Sequence, residues 1–190
     1  MKNLLRPAIA LLLGMTFITG VVYPVAVTLV AQLVFHDAAN GSIITRNDHA
    51  VGSHLIGQPF DDPKYFWSRP SATTPFADNS ASSGASNLGP TNSALADAVR
   101  ARVNALRAAD PGNTAPVPVD LVTASASGLD PDISPAAAQF QLARVARVRG
   151  IPVADIEKMI ASATERRRFG VLGEPRVNVL ELNLRLDGRF

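Results

Sequence analysis

The chain has 190 residues, of which 47% are apolar, 18% charged and 6% aromatic, and it contains no cysteine. That length fits one ordinary domain, with or without an appendage. The missing cysteines exclude a disulfide scaffold, an iron–sulfur protein, a cysteine-ligated zinc site and a cysteine-linked lipid anchor. Lys2 and Arg6 account for two of the 18 basic residues and flank the start of the first apolar run; the other 16 face 16 acidic residues from His36 onward. The high isoelectric point therefore marks no basic nucleic-acid-binding face, and the longest basic run is only Arg166-Arg167-Arg168. Nucleic acid is excluded as a partner.

Residues 1–6 form a short basic head, and the 29 residues from Pro7 to Phe35 carry no charge. As a helix this run would reach about 43 Å, more than the ~30 Å of a hydrocarbon core. Fifteen of the 29 are Leu, Ile, Val or Phe, which favours insertion by about 4–9 kcal/mol in total. A cleaved signal peptide is the rival reading, but its apolar region would be shorter and would end in a small-x-small site. The positive-inside rule keeps Lys2 and Arg6 in the cytoplasm and places residues 36–190 outside it. Within the span, Ala10 and Gly14 are four residues apart, as are Thr16 and Gly20, a spacing that lets another helix approach closely. Tyr23-Pro24 adds an amphipathic ring and a kink toward the outer half.

Asn40-Gly41 is a turn signal closing this segment. Ile43-Ile44 and Leu55-Ile56 read as small strands. The stretch 68–92 is almost entirely Ser, Thr, Asn, Asp, Gly, Pro and Ala and reads as a long polar loop, either functional or a flexible linker. Three adjacent aromatics, Tyr65-Phe66-Trp67, stand at its entrance and point to packing or an interface. A helix follows behind Asn92 or Ser93, with Leu95, Val99, Val103 and Leu106 at helical spacing, and stops at Asp110-Pro111-Gly112. Val117, Val119 and Leu121 alternate as a strand. The next helix has Ser134 as N-cap and Pro135 at its first position, and ends at Gly150. A third places Val153, Ile156, Ile160 and Ala163 on one face, with Ile151 able to staple its start. In the run 177–187, alternating leucines argue for a strand, while the Asn178–Glu181 capping spacing and the lack of β-branching argue for a helix; the balance favours a helix. The fold class is α+β: one N-terminal transmembrane helix followed by a compact extracytoplasmic α+β domain.

Chemistry-bearing motifs are sparse. There is no G-x-S-x-G elbow around Ser125 and Ser127, and His36, His49 and His54 all lie near the membrane junction. A membrane-anchored serine hydrolase using one of these loop serines is the alternative reading. The histidine spacings match no helical metal motif, and no phosphate-binding loop occurs. The distinctive stretch is Leu121 to Asp130, a small-residue loop that presents backbone without bulk to a close-approaching surface. Asp130 and Asp132 read as turn formers or as a cation-attracting feature.

Over nearly its whole length the chain resembles the C subunit of the Kdp-type potassium-transporting P-type ATPase. The similar stretches are Arg6-Pro7-Ala8, Thr19-Gly20 with Tyr23-Pro24, Ala39-Asn40-Gly41-Ser42, and Gly52 to Gln58. They continue through Tyr65-Phe66, Arg69-Pro70-Ser71-Ala72, Ser83-Gly84 and Ser86-Asn87-Leu88. The last are Leu121 to Asp130, Ile133-Ser134-Pro135, Val177-Asn178 and Glu181 to Leu184, with Pro131-Asp132 departing from the family pattern. The resemblance implies a non-catalytic accessory subunit of a high-affinity, ATP-driven potassium import complex in the bacterial inner membrane. Its partners would be a potassium-binding channel-like subunit, an ATP-hydrolysing subunit, a very small membrane subunit and the lipid bilayer. It also implies a catalytic-chaperone role that raises the pump's affinity for ATP, or an outer cap over the potassium entrance. No cofactor or metal is expected on this chain, because ATP and potassium are handled by the complex. The residues expected to meet partners are Gly14, Thr16, Gly20, Tyr23 and Pro24 in the span, with Arg69, Ser125, Ser127 and Asp130 beyond it.

Overall fold

The computed structural model describes residues 4–188, and the chain divides into two compact units, one ending at Ile43 and one beginning at Ile44. Lys2 lies outside the described residues.

In the first unit, α1 (Leu5–Phe17), a wider π-helical turn (Ile18–Val22) and α2 (Tyr23–Val34) form one continuous helix of 30 residues, long and apolar enough to cross a membrane. Its described leucines, valines and phenylalanines are exposed, an apolar surface that water does not tolerate over such a length. The π-turn has a local cause. Pro24 lacks an N–H and its ring crowds the carbonyl four residues back. The helix widens just ahead of it, and the Tyr23 N–H donates to the Ile18 carbonyl, five residues back. Thr19 folds its hydroxyl onto the Met15 carbonyl at 2.8 Å, so it presents no unpaired donor. The unit ends in a single turn, α3 (His36–Ala39), where the side-chain amides of Gln32 and Asn40 pair reciprocally and Asn40 also donates to the His36 carbonyl at 2.8 Å.

Next along the chain is a two-stranded hairpin, β1 (Ile43–Arg46) and β2 (His49–Ser53). Asn47 and Asp48 hold φ of +46° and +62°, the primed turn that matches strand twist. The strand expected at Leu55-Ile56 therefore stands earlier, and Ile56 makes only an isolated bridge to Ser53. Three helices follow, two of them behind the side-chain caps the sequence offers. Asn92 accepts the Ala94 N–H at 2.9 Å ahead of α4 (Ser93–Ala109). Ser134 accepts the Ala137 N–H at 3.0 Å ahead of α5 (Pro135–Arg149), and α6 spans Val153–Ala163. The strand expected at Val117–Leu121 is instead a 3-10 turn, Val119–Leu121. Pro116 and Pro118 donate no ladder hydrogen bonds, and Arg107 holds this stretch through the Asn113 and Ala115 carbonyls.

A three-stranded antiparallel sheet orders β3 (Asp132–Ile133), β5 (Arg176–Asn178) and β4 (Thr164–Glu165), with β5 central. The C-terminal run is a helix, α7 (Val179–Leu186), capped by Asn178, which accepts the Glu181 N–H at 3.1 Å. Residues from α5, α6, β5 and α7 supply most of the core, including Val145, Ile156, Val177 and Leu182, each fully buried. Val153 stays half exposed, outside the stripe expected for it.

At the centre of this core runs Tyr65-Phe66-Trp67, a segment with no regular structure although Phe66 is fully buried. Its backbone is satisfied by side chains. Asn183 accepts the Phe66 N–H at 2.9 Å and donates to the Phe66 carbonyl at 3.0 Å. Gln141 does the same for Trp67, at 2.8 and 3.2 Å. Arg144, 2% exposed, donates to the Pro63 and Tyr65 carbonyls and to Gln141, and stacks 4.8 Å from the Trp67 ring. Burial pushes its guanidinium down to about 10, which still leaves it charged at neutral pH. Asn183→Ala removes both partners of a buried peptide and is expected to cost about 2–5 kcal/mol. Gln141→Ala is expected to cost a similar amount, and the double variant less than the sum, since either change frees the same strap. Urea unfolding followed through Trp67, the chain's one tryptophan, measures both.

Candidate functional site

The distinctive loop folds against the polar loop. Ser125 is buried and its Oγ accepts the Gly128 N–H at 2.9 Å. Ser127 is exposed; its Oγ accepts the Leu129 N–H at 3.1 Å, and its carbonyl accepts from the Gly84 N–H at 2.9 Å and the Ser83 hydroxyl at 3.0 Å. Directly after Ser127, Gly128 sits at φ +68°, where a Cβ would fall 2.6 Å from Thr73 Cγ2 and 2.7 Å from the Gly84 carbonyl oxygen. Only glycine fits both the conformation and the gap.

Ser71 organises the other side. Its hydroxyl donates to the Gly128 carbonyl at 2.7 Å while accepting the Thr73 and Asp78 N–H groups at 3.2 and 3.0 Å. Thr73 donates to the Phe76 carbonyl and accepts the Asn79 N–H, and Asn79 donates to the Thr74 carbonyl. Residues 71–84 are thus tied internally and to residues 127–128, which is not the geometry of a flexible linker. Arg69 at the loop entrance pairs with Asp130 at 2.7 Å. Asp130 also accepts the Asp132 N–H at 3.0 Å, so it forms a turn and an ion pair together. Gly57 completes the seam: its N–H donates to the Leu129 carbonyl at 2.9 Å, and a Cβ there would meet the Asp130 carbonyl oxygen at 2.8 Å.

Four of the expected contact residues, Arg69, Ser125, Ser127 and Asp130, therefore come together in one patch. Ser71, Thr73 and Gly57 belong to it equally; Gly57 and Ser71 lay inside the quoted stretches, but nothing in their spacing told that they would touch residues 127–130. In the other unit, Gly14 and Gly20 have open space where a Cβ would stand, and Tyr23 is largely exposed.

Both serine hydroxyls are engaged as acceptors of backbone N–H groups, and among the described residues neither is hydrogen-bonded to a histidine. His54 is held 2.6 Å from Glu181. Among the described residues no group of three or more His, Cys, Asp or Glu side chains is placed to hold a metal. Beside the patch lies a cleft of about 220 Å³, with Trp67, Phe60, Leu106 and Leu121 among its apolar lining and Asp78 and Arg102 among its charged groups. That is smaller than the roughly 300–1,000 Å³ of a typical small-molecule site. Burial pushes the Asp78 carboxyl up to about 6 and also raises Asp132. An acid with a raised folded pKa contributes stability at low pH that is lost as pH rises through that value. Asp78→Asn is accordingly expected to gain stability over the unsubstituted chain above pH ~6, with the advantage gone near pH ~4. Urea midpoints across that range measure it.

Comparison with known proteins finds relatives over nearly the whole chain. The family described as "K+-transporting ATPase, c chain" matches residues 5–188. The potassium-transporting ATPase KdpC subunit of Polaromonas naphthalenivorans (strain CJ2) is 62% identical over 187 residues, covering 98% of this chain and 95% of that protein. The KdpC subunit of Methylococcus capsulatus is also 62% identical, covering 98% of each chain. That of Janthinobacterium sp. (strain Marseille) is 57% identical over the full length of both. The chain belongs to the KdpC family, the c chain of potassium-transporting ATPases.

Proposed function

We propose that this chain is a non-catalytic accessory subunit that assembles with, and supports the activity of, the ATP-hydrolysing and channel-like subunits of a potassium-importing complex. The long helix anchors it in the inner membrane once, with the amino terminus cytoplasmic by the positive-inside rule and the second unit outside. A very small membrane subunit is the third partner. On this topology any effect on the pump's affinity for ATP travels through the membrane helix as a coupling between sites rather than by contact with the nucleotide. The observation that carries the reading is the Ser71–Gly128 seam. Its polar side chains are consumed in shaping two loops against each other, which suits a surface made for close approach better than a reactive centre.

The reading separates recognition from anchoring. In lipid no hydrophobic drive pulls helices together, so close packing at small residues must do it. Gly14→Leu and Gly20→Leu make insertion more favourable yet are expected to weaken co-purification of the pump subunits about tenfold, whereas Val22→Leu leaves it unchanged. Equal recovery with all three would show that the helix is a plain anchor.

The outer patch is tested by size against chemistry. Ser127→Ala is expected to retain potassium-stimulated ATPase activity of the complex. Ser127→Trp, exposed and so compatible with folding, is expected to cut assembly by about tenfold or more. Loss of activity in Ser127→Ala with the complex intact would favour a chemical role for the hydroxyl.

A further inference from the structure

The sheet edge carries a feature that the subunit's core and seam do not use. Between β4 and β5 the chain runs out in a narrow hairpin, every residue from Glu165 to Glu174 exposed. Its tip is closed by a reciprocal pair of backbone hydrogen bonds between Arg168 and Leu172, each 2.9 Å, and braced below by a two-point ion pair of Arg167 with Glu174 at 2.7 and 2.8 Å. On this braced tip Phe169, Val171 and Leu172 are 91%, 73% and 60% exposed. Phe169 holds φ +54°, a conformation that a bulky side chain adopts only at a cost. Arg166 and Arg168 immediately precede the three apolar side chains, and among the described residues neither has a carboxylate partner. The segment 166–174 carries three arginines and one glutamate.

We infer that this hairpin tip is an interfacial membrane contact, inserting Phe169, Val171 and Leu172 among the acyl chains of an anionic phospholipid surface while Arg166 and Arg168 meet the headgroup phosphates. An apolar wedge beside exposed arginines is the composition of a surface-seated anchor, and phosphates attract each added cation near the surface. Size favours lipid over protein. Three side chains offer on the order of 400 Å², about half of what one partner contributes to a standard protein interface. A weak contact suffices when a second attachment holds the chain at the bilayer. The inference rests on the membrane anchoring proposed above.

Because the chain has no native cysteine, single labels can be placed at will. The full-length chain carrying a nitroxide at Leu12→Cys, Lys158→Cys or Val171→Cys is reconstituted alone into vesicles of phosphatidylcholine and phosphatidylglycerol. Collision rates with oxygen and with a water-soluble nickel complex are then compared. The Val171 label is expected to shift from the aqueous ratio of the Lys158 label toward the acyl-chain ratio of the Leu12 label. Arg166→Glu with Arg168→Glu, both exposed and so compatible with folding, is expected to return it to the aqueous value. An aqueous Val171 label beside a lipid-buried Leu12 label overturns the inference and leaves the anchor standing, whereas an aqueous Leu12 label overturns both. A Val171 label that is aqueous in these vesicles and shielded only when the other subunits are added makes the tip a protein contact and also overturns it.

Discussion

A buried peptide with no strand beside it must find its hydrogen bonds in side chains, and the second unit is arranged around one such segment. Phe66 and Trp67 are each gripped on both N–H and C=O, by Asn183 of α7 and Gln141 of α5. A side-chain amide is well suited to this because it carries a donor and an acceptor at the spacing of a peptide. The grip fixes the rotation of two helices about their axes as firmly as it fixes the strap. Arg144 extends it outward, and Arg149 continues it by stacking 4.7 Å from the Tyr65 ring while pairing with Asp187 at 2.8 Å. The sheet, with strands of two or three residues, is too small to organise a core; the strap takes over much of that task.

The strap also sets where the polar loop begins. Ser68 donates to the Gln58 carbonyl at 2.8 Å, and Arg69 follows directly, aimed at Asp130. From there the loop is ordered by hydroxyls and amides instead of apolar burial. That is an alternative solution to the entropy problem of a sequence poor in large hydrophobes. A surface built this way is shallow and lined with small side chains, which fits membership of a family whose members work as one chain among several.

Much of this was legible in the sequence where the physics is local. Caps at Asn92, Ser134 and Asn178 act over two or three residues, so helix starts could be read directly, and the apolar run needed only its length. Sequence pattern and structure part company where local pattern and longer-range bonding compete. Val117, Val119 and Leu121 alternate like a strand, but the interleaved prolines withdraw the donors that a strand needs. The Asn47-Asp48 turn carries no such local signal, because neither residue is glycine. At the site, the small residues of 121–130 stood out by composition. Their partners did not, since Ser71 and Gly128 are 57 residues apart and no periodicity records such a distance. Asn183 and Gln141 were invisible for the same reason: on a helix, a buried amide clasp looks like an ordinary polar position.

The strap has a consequence for the order of events in synthesis. Phe66 and Asn183 are separated by 117 residues, and the helix carrying Asn183 is the last element described. A growing chain can form α4 and α5 early, but the peptide at Phe66 stays without its partner until α7, which carries Asn183, has been made. Contacts of such long range close slowly, because loop entropy must be overcome before they form. The Phe66 peptide is thereby left unpaired until α7 is in place. A shortened product lacking α7 would carry an orphaned buried peptide and an uncovered core, the kind of species that cellular quality control removes.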